Sequence, residues 1–266
     1  MKASPRSNFL EGRGLLTLIL AAAVGASLLS VDWSRGLLHT GGVSSAVRIF
    51  GSIFTPELSP GFLRLALEAT WKTLTFAIAG VTLAVGIGFP LGIAASGVLF
   101  RKGRMRALTV VLARFVLAFL RSIHELVWAW LFVLAIGLSP MAAILALALP
   151  YGGILGRLYA DFLNDVPQHP LRALRTSGAS EFEVLAYGRI PMALPDMLSY
   201  TFYRFECGVR SAAILSFVGI QGLGYQIQLS LDDLYYDQVW TLMFFLVVVI
   251  VVIDVWSSFV RRDLTR

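Results

Sequence analysis

Residues 172–195 read RALRTSGASEFEVLAYGRIPMALP, a polar and charged island between two long apolar runs. Within it Ala173-Leu174 is followed by Gly178-Ala179-Ser180 and then by Ile190-Pro191. A chain packed in hydrocarbon gains nothing from such a segment, so the island reads as a surface that a soluble partner binds. Gly178 permits a sharp turn and close backbone approach. Ala173, Ala179 and Ser180 are small enough to let the surface enter a groove. Glu181 and Glu183 begin the next helix, where negative charge suits the N-terminal dipole. Pro191 and Pro195 would fix the chain as it returns to the bilayer. The expected form is a pair of short helices over 171–187, broken near Gly178, inside a cytoplasmic loop spanning 164–195.

The chain around this island is strongly apolar. Of its 266 residues 57% are hydrophobic and only 14% charged, and the mean hydropathy is +0.76. That balance lies far from a soluble domain's. Runs at 15–31, 73–100 and 239–259 are the clearest candidates to cross a membrane. Those at 107–137 and 138–163 carry a few charges, and 199–220 is interrupted by Arg204, Glu206 and Arg210. The fold class is all-α: a polytopic membrane protein with about six transmembrane helices.

Basic residues test this count independently. Lys2, Arg6 and Arg13 precede the first span; Arg101, Lys102, Arg104 and Arg106 form the tightest cluster; Arg172, Arg175 and Arg189 follow; Arg261, Arg262 and Arg266 close the chain. Six spans put all of them on one side, which the positive-inside rule makes cytoplasmic. The other side receives Asp32, Glu57, Asp232, Asp233 and Asp237, with Arg35 and Arg48 as exceptions. The expected topology is N-terminus and C-terminus in the cytoplasm of a multi-pass protein in a bacterial plasma (inner) membrane. The net charge of +6 therefore reports orientation and not nucleic-acid binding. Val31-Asp32-Trp33 is a poor cleavage site, so the first span is expected to be retained.

Residues 1–66 comprise the first span and an external connection with a surface helix at 43–53; residues 67–266 form the transmembrane domain. Pro90 should kink the second span. Gly88 and Gly92 have the small-xxx-small spacing that lets helices approach closely, but such a pair is common by chance in a span this glycine-rich, and a dimer interface there is the lesser reading. Gly137-Leu138-Ser139-Pro140 should turn tightly between the third and fourth spans.

Charges inside a membrane are costly and call for a role. The third span carries Arg114, Arg121, His124 and Glu125, and the fifth carries Arg204, Glu206 and Arg210. Arg121 with Glu125, and Glu206 with Arg210, are spaced to pair along one helical face. Such pairs either lock helices together or line a water-filled path for an anion. The arginine fork matches phosphate-like oxygens because it donates two hydrogen bonds at once. No GxxxxGK[ST] phosphate loop occurs, Cys207 stands alone, and His39, His124 and His169 are scattered. Neither catalytic nor metal-ligand spacing is present, so an enzyme reading has little support.

The 172–195 segment resembles the cytoplasmic coupling loop of ABC importer permeases, with Ala173, Gly178, Ile190 and Pro191 on that loop's pattern. Arg172 stands where the pattern has Glu, and Leu174 replaces an Ala. Residues 121–129 (RSIHELVWA), 200–210 (YTFYRFECGVR) and 217–225 are similar to phosphonate-type permeases, and the likeness covers most of 67–262. His124 replaces a usual proline, which removes the ordinary cause of a kink there, and Gln221 interrupts a glycine run. The resemblance implies a type I ABC importer permease fold and a translocation pathway for a phosphonate or a smaller oxyanion such as phosphite. It also implies separate ATPase subunits that bind ATP and Mg, an extracytoplasmic substrate-binding protein and a second permease copy, normally a homodimer. This chain itself would bind no cofactor. Ala173, Gly178, Ala179, Ser180, Glu181, Glu183, Ile190 and Pro191 would couple to the ATPase; Arg121, Glu125, Arg204, Glu206 and Arg210 would line the path or pair within the membrane. The alternatives are an importer permease for another small solute and an ion-gradient-driven secondary transporter. The latter would show inverted repeats, and no convincing half-to-half similarity is visible.

Overall fold

The computed structural model describes residues 7–31, 40–100 and 103–264. Lys2, Arg6, Asp32, Arg35, Arg101, Lys102 and Arg266, which enter the topology reading, lie outside the described residues. All regular structure among the described residues is helical. The chain divides into two units, Met1–Gly51 and Ser52–Arg266.

The first unit holds α1 (Ser7–Ser30) and α2 (Thr40–Gly51). The apolar part of α1 is the first run read as a span. The amphipathic α2 falls where a surface helix is expected.

The second unit starts with a 3₁₀ turn, Ser52–Phe54. It continues with α3 (Pro60–Ser96), α4 (Arg104–Ser122), α5 (Glu125–Ile136) and α6 (Pro140–Asp165). Then come α7 (Gln168–Thr176), α8 (Glu181–Glu183), a π-helical turn (Val184–Arg189), α9 (Ile190–Leu215), α10 (Leu223–Asp232) and α11 (Tyr236–Leu264). Helices α3, α6 and α11 are each long and apolar enough to cross a membrane. The α4/α5 pair, and the α8-to-α9 stretch with α10, are long and apolar enough only when each is taken together, and they bend by 86° and 43°, as a broken span or a re-entrant loop does. Together with α1, these segments occupy every run read as a span.

Helix α6 is the centre of the unit, and glycine puts it there. A Cβ on Gly88 of α3 would lie 2.9 Å from the Gly152 carbonyl oxygen, and one on Gly92 would lie 2.8 Å from that of Gly156. On the adjoining face, a Cβ on Gly153 would lie 2.8 Å from the Leu117 carbonyl of α4. Lipid tails are as apolar as leucine, so helices in a bilayer associate through close van der Waals packing, which these glycines allow. The close helix approach expected at Gly88 and Gly92 is thus made inside one chain, with α6 as the partner.

The third run departs most from expectation. It breaks at Ile123-His124, and α5 leaves at 86° to α4 without any proline. Ile123 is extended (φ −98°, ψ 126°), and His124 (φ −65°, ψ 145°) caps α5 by accepting from the Leu126 N–H at 3.3 Å. The side chain that replaces proline supplies the cap. The turn at 137–140 forms as read, with Ser139 capping α6 and Pro140 in its first turn.

Candidate functional site

The 164–195 loop is built from short-range contacts. Gly178 has φ +91°, a conformation that β-carbons disfavour, and it ends the turn after α7. Arg175 donates to Glu181 with both Nε (3.2 Å) and Nη2 (3.0 Å), closing the chain around Gly178. Ser180 caps α8 in a reciprocal box: its Oγ accepts from the Glu183 N–H, and the Glu183 carboxylate accepts from the Ser180 N–H at 2.7 Å. The Ser180 hydroxyl donates to the same carboxylate at 2.8 Å, and the N–H and hydroxyl bonds together hold the Glu183 carboxyl below the ordinary glutamate range, at a site in the loop ahead of α9.

Inward, Leu171 and Leu174 rest where a Cβ on Gly188 would be, and Arg189 donates to the Leu163 carbonyl. Outward, Arg172, Ala173, Ser177, Gly178 and Ser180 are exposed. Phe182 is 69% and Tyr187 78% exposed. The loop is therefore stapled to the protein by one face and offers a small-residue tip flanked by aromatics on the other. One expectation is corrected. The second short helix is not separate, because α8 runs through the π turn into α9. Pro191 and Pro195 therefore sit inside a helix and do not mark the point where a new one begins. Pro191 directly follows the π turn, whose wider ladder accommodates its missing N–H.

The intramembrane charges form two separate groups. Glu206 is 6% exposed and lies between Arg210 of its own helix, to which it is ion-paired, and Arg261 of α11 at 3.7 Å. This pairing matches the expected i,i+4 contact and adds a partner that sequence spacing does not show. The expected Arg121–Glu125 pair does not form, because the break at His124 takes the two residues off a common helical face. Glu125 instead accepts from Ser211 of α9 at 2.8 Å and faces His124 Nε2 at 3.8 Å. Arg121 is exposed on α4.

Arg204 stands apart from both carboxylates. Its guanidinium lies 5.4 Å from the Tyr151 ring centroid, 5.6 Å from Tyr200 and 5.9 Å from Tyr203. It donates to the Tyr200 hydroxyl at 2.9 Å, while its buried Nε has no hydrogen-bond partner among the described residues. Ser211 gives its proton to Glu125, so the Tyr151 hydroxyl is the donor in the 3.1 Å contact with Ser211. Arg204, Tyr151, Ser211 and Glu125 thus join α9, α6 and α5 in one polar chain. An arginine held by aromatic faces keeps its charge while lacking a carboxylate, and this suits a transient anionic guest.

Residues 88–266 match the family described as binding-protein-dependent transport system inner membrane component. The chain belongs to this family. The permease is 28% identical over 269 residues to the phosphite transport system permease protein PtxC of Stutzerimonas stutzeri, covering 98% of this chain and 96% of the relative. It is 30% identical over 209 residues to the putative phosphite transport system permease protein HtxC of the same organism, covering 79% and 72%. It also matches the phosphate-import permease protein PhnE of Mycolicibacterium smegmatis at 31% over 193 residues, covering 73% of this chain and 36% of the relative. Among solved structures, the MetNI methionine ABC transporter in inward-facing conformations superposes with a TM-score of 0.69. That match has 22% identity and covers 79% of this chain and all of the other, and it establishes the fold as that of an ABC importer permease.

Sequence reading of the permease missed several polar positions. Tyr151, Tyr200 and Tyr203 form the surround of Arg204; the last two precede it by four and one residues, a spacing that could have flagged them. Lys72, just ahead of the apolar 73–100 run in α3, donates to Gln221 at 2.6 Å, beside a cavity of about 470 Å³ that also touches Phe76, Ser139 and Tyr225. Gln221, which interrupts the glycine run, is thus a partner for that lysine.

Proposed function

We propose that this permease is the membrane subunit of an ATP-driven importer and that it forms the pathway for a phosphonate, phosphite or related phosphorus oxyanion. The loop closed by Arg175 and Glu181 carries the reading: a tip that is rigid at both ends can transmit a push. The printed names of the relatives, which are phosphite and phosphate-import permeases, support the cargo class. A separate ATPase holding ATP and Mg docks on Ala173, Gly178, Ala179 and Phe182 from the cytoplasm. Both termini of the chain lie on that same side. An extracytoplasmic binding protein delivers the anion, and a second copy of this chain completes the pathway. Residues 67–266 form the transport domain. Arg204, in its tyrosine surround, is the first candidate to meet the anion; Arg121 and Arg210 are further ones.

ATP-driven closure of the ATPase would bring the two Gly178 tips together and open the path outward. In vesicles carrying permease, ATPase and binding protein, phosphite uptake should require ATP. Gly178→Glu should abolish uptake and loosen ATPase association while the permease still inserts. ATPase co-purification equal to wild type would sink the docking role. Arg204→Ala should lower uptake far more than it lowers protein yield, whereas equal losses would make Arg204 a packing residue.

A further inference from the structure

A second arginine cluster lies outside the candidate pathway. The turn after α3, the end of α6 and the loop enclose a polar cavity of about 560 Å³. Arg106, Arg175, Arg189, Glu181 and Asn164 line it. Three guanidiniums thus face one carboxylate. Arg106 Nε donates to the Gly97 carbonyl at 3.1 Å, and Arg189 donates to that of Leu163, so both bond neutral oxygens that leave their charge in place. Arg189 is only 8% exposed, and its Nε has no hydrogen-bond partner among the described residues. A buried guanidinium without a carboxylate is costly unless an anion visits it.

We propose that this cavity binds a phosphate-type oxyanion, and that the bound anion braces the turn after α3 against the loop at Gly178. The anion would draw on the same arginine, Arg175, that closes the loop onto Glu181, so occupancy bears directly on the docking tip. Two sources present the same chemistry: a free phosphate-like ion and the headgroup of an anionic lipid. Which side of the membrane supplies it rests on the orientation proposed above, but the binding itself does not.

The test uses the purified full-length permease in nanodiscs. In phosphatidylcholine discs, inorganic phosphate is titrated by calorimetry. In phosphate-free discs of rising phosphatidylglycerol content, retained lipid is counted by native mass spectrometry. One saturable ligand per chain is expected at this cavity, separate from any R204A-sensitive binding in the pathway; it should be weakened about tenfold by N164D, which adds a carboxylate to the cavity, and similarly by R106Q. R204A should leave it unchanged. Saturation in the first arm assigns the site to a free ion, and saturation only in the second assigns it to a headgroup. No saturable ligand in either arm overturns the proposal, as does binding indifferent to N164D or lost only in R204A. If R106Q does not fold, N164D decides, since Asn164 is exposed. Loss of ATP-dependent uptake with N164D-sensitive binding intact would remove the importer reading and leave this site standing.

Discussion

The loop at Gly178 and the charged belt inside α9 both rest on an arginine facing a glutamate, yet their partners come from very different distances along the chain. Arg175 and Glu181 flank one turn and bond through two parallel contacts. Glu206 is held by Arg210 on its own helix and by Arg261 from α11. The first pair makes a surface whose shape does not depend on how the helices are arranged, as a docking tip requires. The second makes the arrangement of α9 and α11 depend on a buried charge. Local closure preserves a shape, and tertiary closure records a conformation.

The largest expected effect breaks the belt. Glu206→Gln removes the carboxylate between two guanidiniums in a low-dielectric setting, where breaking such a pair costs about 3 kcal/mol. Arg210 is half exposed, which keeps the loss near that figure and not above it. The melting temperature in detergent should fall clearly, and Arg261→Met should return part of it. A fall no larger than that of Arg175→Gln would erase the distinction between the regions.

Arg175→Gln comes next. It leaves Glu181 without its fork, for a loss of about 1–2 kcal/mol confined to the loop. Hydrogen exchange at residues 176–181 should rise while α9 and α11 keep their protection. Exchange spreading into α11 would show that the loop is not independent of the belt.

The same contrast governs what the sequence discloses. The loop was legible because its determinants are neighbours: Gly178 supplies the left-handed turn and Ser180-x-x-Glu183 the cap. The α3 glycines were legible as a contact but not in their partner, since the spacing of Gly88 and Gly92 is indifferent to whether α6 or a second copy meets it. Arg261 opposite Glu206, and Tyr151 opposite Arg204, are brought in by tertiary packing that no local pattern encodes. The Arg121–Glu125 pairing failed for another reason. It assumed one continuous helix, and a break needs only an extended residue and a capping side chain, with no proline.

Within the loop the cap is a smaller effect than the fork. Ser180→Ala should cost about 1 kcal/mol of local order. Because Glu183 titrates below its usual range when folded, its contribution is complete above the unfolded glutamate range and is lost as pH falls through the lowered folded value. Exchange at 181–183 should therefore rise on acidification in the wild type and less steeply in Ser180→Ala, which keeps the larger N–H contribution and loses only the hydroxyl's. Equal pH sensitivity in both would show that the hydroxyl does not set the Glu183 titration.

The smallest effect is expected where the departure from the family looks largest. His124→Pro installs the residue that the resemblance to phosphonate-type permeases would place there. The backbone is already suited to it: His124 has φ −65°, the value proline enforces, and Ile123 is extended, as a residue before proline prefers. The substitution removes a 3.3 Å cap from the Leu126 N–H, and an imidazole beside Glu125. The preset φ offsets part of that loss, so the net change should stay below about 1 kcal/mol. Uptake should remain within about twofold of wild type. His124→Gly, which lacks both the cap and the restraint, should be the worse of the two. If proline proved the more damaging, the imidazole would matter through Glu125 and the polar chain to Arg204, and the bend would belong to the charged belt and not to backbone geometry.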